Sequence, residues 1–140
     1  MEFVQNNSDF IFVDDSKATN PAAAVKAVES FKQSVFLIAG GQDRNADFSE
    51  LIDVIDRKVK FLILLGETAD QIYDLAVNKT SVAAIKVSNM QEAVRTAFKK
   101  MKPGDCLLLS PACPSWDMYE SYKTRGNIFK KEVQNMLNLQ

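Results

Sequence analysis

At 140 residues the chain has about one domain's worth of length, enough to bury roughly two-thirds of its unfolded surface around a single core. It is 46% hydrophobic and 25% charged, and 17 basic against 18 acidic side chains leave a net charge of −1. That balance argues against a nucleic-acid binder working by counterion release, a polybasic membrane surface and a disordered acidic tail. Histidine is absent, which removes Ser-His-Asp and Cys-His nucleophiles, histidine acid–base chemistry and nearly all zinc sites. Neither G-x-x-x-x-G-K-[ST] nor G-x-G-x-x-G occurs, so both standard phosphate-cradling loops are missing. The apolar run Phe61 to Leu65 is only five residues and cannot span a bilayer, and the N-terminus shows no secretion signal. The expected compartment is therefore the cytoplasm, with no membrane or nucleic-acid partner, and Cys106 and Cys113 are expected as free thiols.

In chain order, Glu2 to Gln5, the turn-rich Asn6-Asn7-Ser8-Asp9 and Phe10 to Val13 predict an antiparallel hairpin. Val35 to Ala39, Val59 to Leu65 and Cys106 to Leu109 read as buried strands, with Ala83 to Val87 a weaker one. Between them the period turns helical. Stripes at Val25, Val28 and Phe31, at Phe48, Leu51, Ile52 and Ile55, and at Ile72, Tyr73 and Ala76 are followed by one from Met90 to Met101 and one from Phe129 to Leu137. Pro21 suits a first helical turn, and Thr68-x-x-Gln71 and Ser88-x-x-Gln91 have the pattern of capping boxes. Alternating strand and helix after a hairpin predicts an α/β domain of three layers. Its sheet is mostly parallel, with one antiparallel strand, and is covered by helices on both faces.

Ligands in such folds sit beyond the carboxyl ends of the strands, which directs attention to the loops there. Asp14-Asp15-Ser16-Lys17-Ala18-Thr19-Asn20 offers carboxylates, an ammonium and hydroxyls directly before a helix, although capping by Thr19 or Asn20 would explain part of it equally well. Gly40-Gly41 permits close approach of backbone to a ligand, or is a plain turn; Arg44 can fork onto a carboxylate, or is solvated. In Ser110 to Asp117, Pro111 and Pro114 stiffen a path that sets Ser115 beside the only tryptophan, Trp116, which reads as a site residue or, with Tyr119, as a core anchor. Cys113 lacks a histidine or nearby cation to activate it as a nucleophile.

Three segments, D-D-S-K-A-T-N-P, G-G-Q-D-R-N-A-D-F and L-L-S-P-A-C-P-S-W-D-M-Y-E-S-Y-K-T-R-G-N-I-F, resemble in order and spacing the C-terminal domain of the Mur ligases. The resemblance runs from Glu2 to the final helix. It implies a Rossmann-like domain of a three-domain cytoplasmic ligase of peptidoglycan synthesis. With ATP and magnesium, such a ligase converts the carboxylate of UDP-N-acetylmuramoyl-L-alanine to an acyl phosphate, which the amine of D-glutamate attacks. On this resemblance Thr19 and Arg44 face the α-carboxylate of D-glutamate. Ser115, the backbone at Trp116, and Tyr122 border its side-chain carboxylate, while Asp15 and Lys17 face the nucleotide and its transferred phosphate. No residue of the chain is expected to ligate a metal. The family usually has lysine at the position of Arg44, commonly phenylalanine at that of Tyr122, and alanine at that of Pro114. Its uridine-nucleotide and central ATPase domains have no counterpart here, so the chain reads as one domain of a longer ligase, inactive alone.

Two other readings compete. A phosphoacceptor receiver domain shares the paired aspartates but needs an aspartate after a central strand and a lysine after the last, where this chain has Gly66-Glu67 and Ser110-Pro111. A stand-alone amino-acid-binding or interaction module without catalysis is the alternative that flanking sequence would decide.

Overall fold

The computed structural model describes residues 1–4 and 9–139. Among them the chain runs β1 (Glu2–Val4), β2 (Ile11–Asp14), α1 (Pro21–Glu29), β3 (Val35–Ala39), α2 (Ser49–Lys58), β4 (Val59–Leu64), α3 (Ala69–Lys79), β5 (Ala83–Lys86), α4 (Met90–Lys100), β6 (Cys106–Leu109) and α5 (Tyr122–Asn138). The expected alternation is present, with strand limits moved by a residue or two. Gln5 and the turn residues Asn6, Asn7 and Ser8 lie outside the described residues.

The strands form one sheet in the order β1-β2-β6-β3-β4-β5. Only β1 and β2 pair antiparallel; every other neighbouring pair is parallel. Alternation within the central strands divides the core in two. Val13, Leu108, Leu37 and Leu62 share a row that packs under α1, α2 and α3, whereas Phe12, Leu107, Phe36 and Phe61 share the next row and pack under α4 and α5. Period-2 geometry requires this split, and apolar residues at both parities are why the runs look continuous in sequence. The edge strand β5 departs from the expectation of two covered faces: Ala83, Ile85 and Lys86 are exposed. Its weaker apolar character in sequence has that cause.

Strand order reverses at β6, which is inserted between β2 and β3 after the chain has travelled out to β5. Register brings Asp14, Leu109 and Ile38 level across these three strands. The loops that follow β2, β6 and β3 therefore leave the sheet side by side, at the place where a parallel sheet opens a crevice.

Helix starts differ from the expected boxes. Thr68 precedes α3 but makes no side-chain cap, because its Oγ1 accepts a hydrogen bond from the Gly41 N–H at 3.1 Å instead. At α4 the box is displaced by one residue. Asn89 Oδ1 caps the Glu92 N–H at 2.9 Å, and Glu92 Oε2 accepts from the Ser88 N–H at 3.0 Å, leaving Gln91 out. Asparagine is as good a cap as serine, and the partner position moves with it. Pro21 does open α1.

Candidate functional site

Four loops at the carboxyl edge of the sheet are knitted by backbone bonds. The Asp15 N–H donates to Leu109 O at 2.7 Å and the Ala112 N–H to Ala18 O at 3.0 Å, tying the loop after β6 to the loop after β2. The Gly40 N–H donates to Pro111 O at 2.9 Å and the Gln42 N–H to Pro114 O at 2.8 Å, tying it to the loop after β3. Thr68 N–H donates to Gly41 O at 3.1 Å, which adds the loop after β4. Gly40 has φ +111°, and a Cβ there would run into the backbone carbonyl of Leu65, so only glycine fits. Ala112 holds φ +65° while 1% exposed, a strained backbone maintained by its bond to Ala18.

These loops enclose a cleft of about 310 Å³ lined by Thr19, Arg44, Pro114, Ser115, Trp116 and Tyr122. Five of the six are the residues that the sequence suggests for the amino acid. Asn20, not Thr19, caps α1, its Oδ1 accepting from the Ala23 N–H at 2.9 Å, so the Thr19 hydroxyl is left to the cleft. Ser115 is 3% exposed, and its carbonyl accepts from the N–H groups of Met118 and Tyr119 in the turn that leads toward α5. Ser121 caps that helix through Thr124 N–H, which sets Tyr122 at its first position beside the cleft.

Arg44 is exposed; its Nε donates to Gln42 Oε1 at 3.0 Å and its guanidinium lies over the Trp116 ring, 5.3 Å from the centroid. Trp116 is 64% exposed and is no core anchor: its indole forms the outer lip of the cleft as a platform for a cation. Tyr119, by contrast, is half-buried, and burial pushes its phenol pKa upward.

Asp15 and Lys17 are not part of this cleft. They line a neighbouring cavity of about 330 Å³ with Lys26 and Met1, and Asp15 Oδ2 accepts from Ser110 Oγ at 2.9 Å. Lys17 also borders a third cavity, of about 250 Å³, which it shares with Tyr122, Lys123 and Lys130. Both cysteines are free and buried. Burial pushes the Cys113 thiol up to about 11 and the Cys106 thiol up to about 12, so neither is a thiolate nucleophile at neutral pH. No group of three or more His, Cys, Asp or Glu side chains among the described residues could hold a metal ion.

Sequence reasoning missed the supports beneath the cleft. Arg125 is 2% exposed and donates from Nη1 to Cys113 O at 2.9 Å and from Nη2 to Ser16 O at 2.8 Å. Asp117 Oδ2 accepts from the Glu67 N–H at 3.0 Å, and Thr68 holds Gly41. A signal for Arg125 was present: it lies four residues before Phe129 and eight before Val133, on the stripe that α5 buries.

The family model described as "Mur ligase, glutamate ligase domain" matches residues 1–113. The UDP-N-acetylmuramoylalanine–D-glutamate ligase of Clostridioides difficile (strain 630) is 48% identical over 135 residues, covering 96% of this chain and 30% of that protein. Among solved structures, the UDP-N-acetylmuramate-alanine ligase of Thermotoga maritima superposes with a TM-score of 0.63 at 11% identity, over 96% of this chain and 29% of that one. The MurF ligase of the same organism, in complex with ADP, gives 0.55 at 17% identity, over 95% and 31%. At such low identity these two structures show the shared fold alone. The chain spans about 30% of the length of the curated relatives it matches.

Proposed function

The chain belongs to the Mur ligase family as a glutamate ligase domain, and from that premise we propose that it is the amino-acid-delivering part of an ATP-dependent ligase. That ligase joins D-glutamate to UDP-N-acetylmuramoyl-L-alanine in cytoplasmic peptidoglycan synthesis. One observation carries the reading: Thr19, Arg44, Ser115, Trp116 and Tyr122, drawn from four separate elements, border a single cleft at the reversal point of the sheet.

D-Glutamate presents two carboxylates and an amine, so a selective site needs donors at two separated places and must leave the amine free. The Thr19 hydroxyl and the Arg44 guanidinium hold the α-carboxylate; the Ser115 hydroxyl and the backbone N–H of Trp116 hold the side-chain carboxylate, with Tyr122 closing that side. Fixed at both ends, the amine attacks the carbonyl carbon of the acyl phosphate. The C–N bond forms, the C–O bond to phosphate breaks with its electron pair leaving on the phosphate, and the proton the amine gives up passes to water or to the departing phosphate. Asp15 and Lys17, in the adjoining cavity, face the nucleotide and the phosphate it transfers. Magnesium, when bound, would neutralise charge on the transferring phosphate, and it and the phosphate loop would be held by parts of the ligase outside this chain.

The test is D-glutamate-dependent phosphate release by the ligase carrying this domain, supplied with ATP and UDP-N-acetylmuramoyl-L-alanine. D-Glutamate is expected to outperform other amino acids, while the 140-residue chain alone turns over nothing and binds D-glutamate with a Kd of about 1 mM or weaker, because it supplies only part of the contact. Turnover by the isolated chain, or a strong preference for a different amino acid, overturns the reading.

A further inference from the structure

Among the described residues, the cleft's own side chains meet where Arg44 lies over Trp116; the Thr19 and Ser115 walls are joined from beneath, by the backbone bonds Asp15 N–H to Leu109 O and Ala112 N–H to Ala18 O and by Arg125. Two walls leave the sheet separately: the loop after β2 carries Thr19, and the loop after β6 carries Ser115 and Trp116. Tyr122 comes from a third element, α5. Arg125, one turn after Tyr122 on that helix, donates to Ser16 O in the first loop and to Cys113 O in the second. Its neighbour Gly126 leaves no room for a Cβ against the side chains of Asp14 and Ser16, so α5 lies directly on the first loop. At Gly41 a Cβ would stand 3.2 Å from Arg125 Nη1, which places the loop after β3 against the guanidinium as well. All the elements that line the cleft thus converge on one side chain.

Arg125 is 2% exposed, and among the described residues no carboxylate lies within ion-pair distance of it. A buried charge that donates only to two carbonyls and leaves its Nε without a partner among the described residues is a poor way to fill a core, since an apolar side chain of similar volume is often equally or more stable. What the planar fork does, and an apolar chain cannot, is fix the distance and angle between two backbone segments.

We propose that Arg125 is a positioning residue of the amino-acid cleft, its guanidinium setting the separation of the Thr19 and Ser115 walls and so the length of dicarboxylic amino acid that fits between them. The inference rests on the D-glutamate reading above and adds the source of its length selectivity.

In the ligase carrying this domain, Arg125→Met is expected to raise the KM for D-glutamate roughly 10- to 100-fold, as a misplaced wall would. The KM values for ATP and UDP-N-acetylmuramoyl-L-alanine stay within about twofold. Discrimination against D-aspartate and D-2-aminoadipate, one methylene shorter and longer, shrinks. Arg125→Lys, which keeps the charge and can reach one carbonyl, recovers part of the D-glutamate KM. An unchanged D-glutamate KM with unchanged discrimination overturns the proposal, and so does a loss spread evenly over all three substrates in step with the folded fraction. A second measurement needs no substrate. In the amide spectrum of this chain, Arg125→Lys should move residues 16–19 and 113–116 together; shifts confined to α5 overturn the clamp. Absence of D-glutamate turnover in the unmodified ligase would instead strike the proposed function, and the amide spectrum then still decides the clamp.

Discussion

Ser115 and Arg44 border one cleft and are held in opposite ways. Ser115 is 3% exposed, in a loop pinned by bonds to the loops after β2 and β3 and by the buried Arg125. Arg44 is exposed, on a loop whose own turn has Asn45 at φ +57°, and among the described residues its guanidinium is steadied by Gln42 and the face of Trp116. The buried side is therefore expected to be pre-formed, and the exposed Arg44 side chain to adjust on a loop that is itself bonded to its neighbours. A pre-formed wall fixes ligand orientation at little entropic cost, whereas an exposed cation contributes charge and can close on a ligand after it arrives. Substitutions at the two sides should therefore fail differently: loss of fold at the pinned side, loss of affinity at the adjustable one.

The largest expected effect is Gly40→Ala. It demands a positive φ from alanine and drives a Cβ into the Leu65 carbonyl, in the turn that anchors both the loop after β3 and, through Pro111, the loop after β6. A loss of about 3 kcal/mol or more follows, read as the shift of the denaturant midpoint. If the variant is as stable as the parent but its cleft is weaker, the pinned side is less rigid than its hydrogen bonds imply.

Arg44→Ala should leave stability nearly unchanged and remove a charge-assisted contact worth about 1.5–3 kcal/mol, roughly 10- to 150-fold in kcat/KM for D-glutamate. Arg44→Lys keeps the charge and the residue type usual in the family, and is expected to cost much less. A lysine variant as impaired as alanine would show that the planar fork is required and that this side, too, is rigid. Unaltered D-glutamate kinetics in the alanine variant would show Arg44 to be merely solvated.

The same contrast separates features that local sequence pattern specifies from those that only the folded chain brings together. The five βα units and the antiparallel start were legible because apolar runs and helical stripes change period at each boundary, and parallel topology follows from the alternation. Thr19, Arg44, Ser115, Trp116 and Tyr122 were legible because they belong to motifs that resemble a known family, and their convergence in one cleft agrees with that resemblance. The supports were not. Thr68 reads as a helix cap in sequence but bonds Gly41, 27 residues away, and Arg125 reaches Ser16 across 109 residues. The buried stripe of α5 marks Arg125 as inward-facing, but no local period or spacing tells which distant group either residue bonds. Of the two readings of Trp116, site residue or core anchor, the anchor fails: its size suggests burial, whereas its position beside Arg44 gives the indole a use at the surface.

Alkaline pH probes the pinned side with a smaller effect. Burial holds the Cys113 pKa at about 11 and the Cys106 pKa at about 12, above the ordinary thiol value, so the folded state keeps protons that the unfolded chain gives up first. Their contribution to stability is full below about pH 8.5 and is lost as the pH rises through 11 to 12. Melting temperature should fall with pH above about 9, and a Cys106→Ala, Cys113→Ala double variant should fall less steeply. Both thiols should resist an aromatic disulfide reagent at pH 8 until the chain is unfolded. Rapid native-state reaction of Cys113 would mean that the loop after β6 opens readily, which would erase the distinction between the two sides.

The smallest effect belongs to the lip. Trp116 meets Arg44 at 5.3 Å while 64% exposed, and a cation over an indole in contact with water is worth about 0.5–1 kcal/mol. Trp116→Ala should therefore weaken D-glutamate use only about two- to fivefold, chiefly through KM, because the backbone N–H at that position remains. Trp116→Phe retains a ring face and should fall between the two. The pair can be resolved further by combining Trp116→Ala with Arg44→Ala. If the indole acts by steadying the guanidinium, the double variant is no worse than Arg44→Ala alone, since removing the platform costs nothing once the cation is gone. Additive losses would mean that Trp116 touches the amino acid on its own account, and the lip would then count as a second recognition element of the adjustable side.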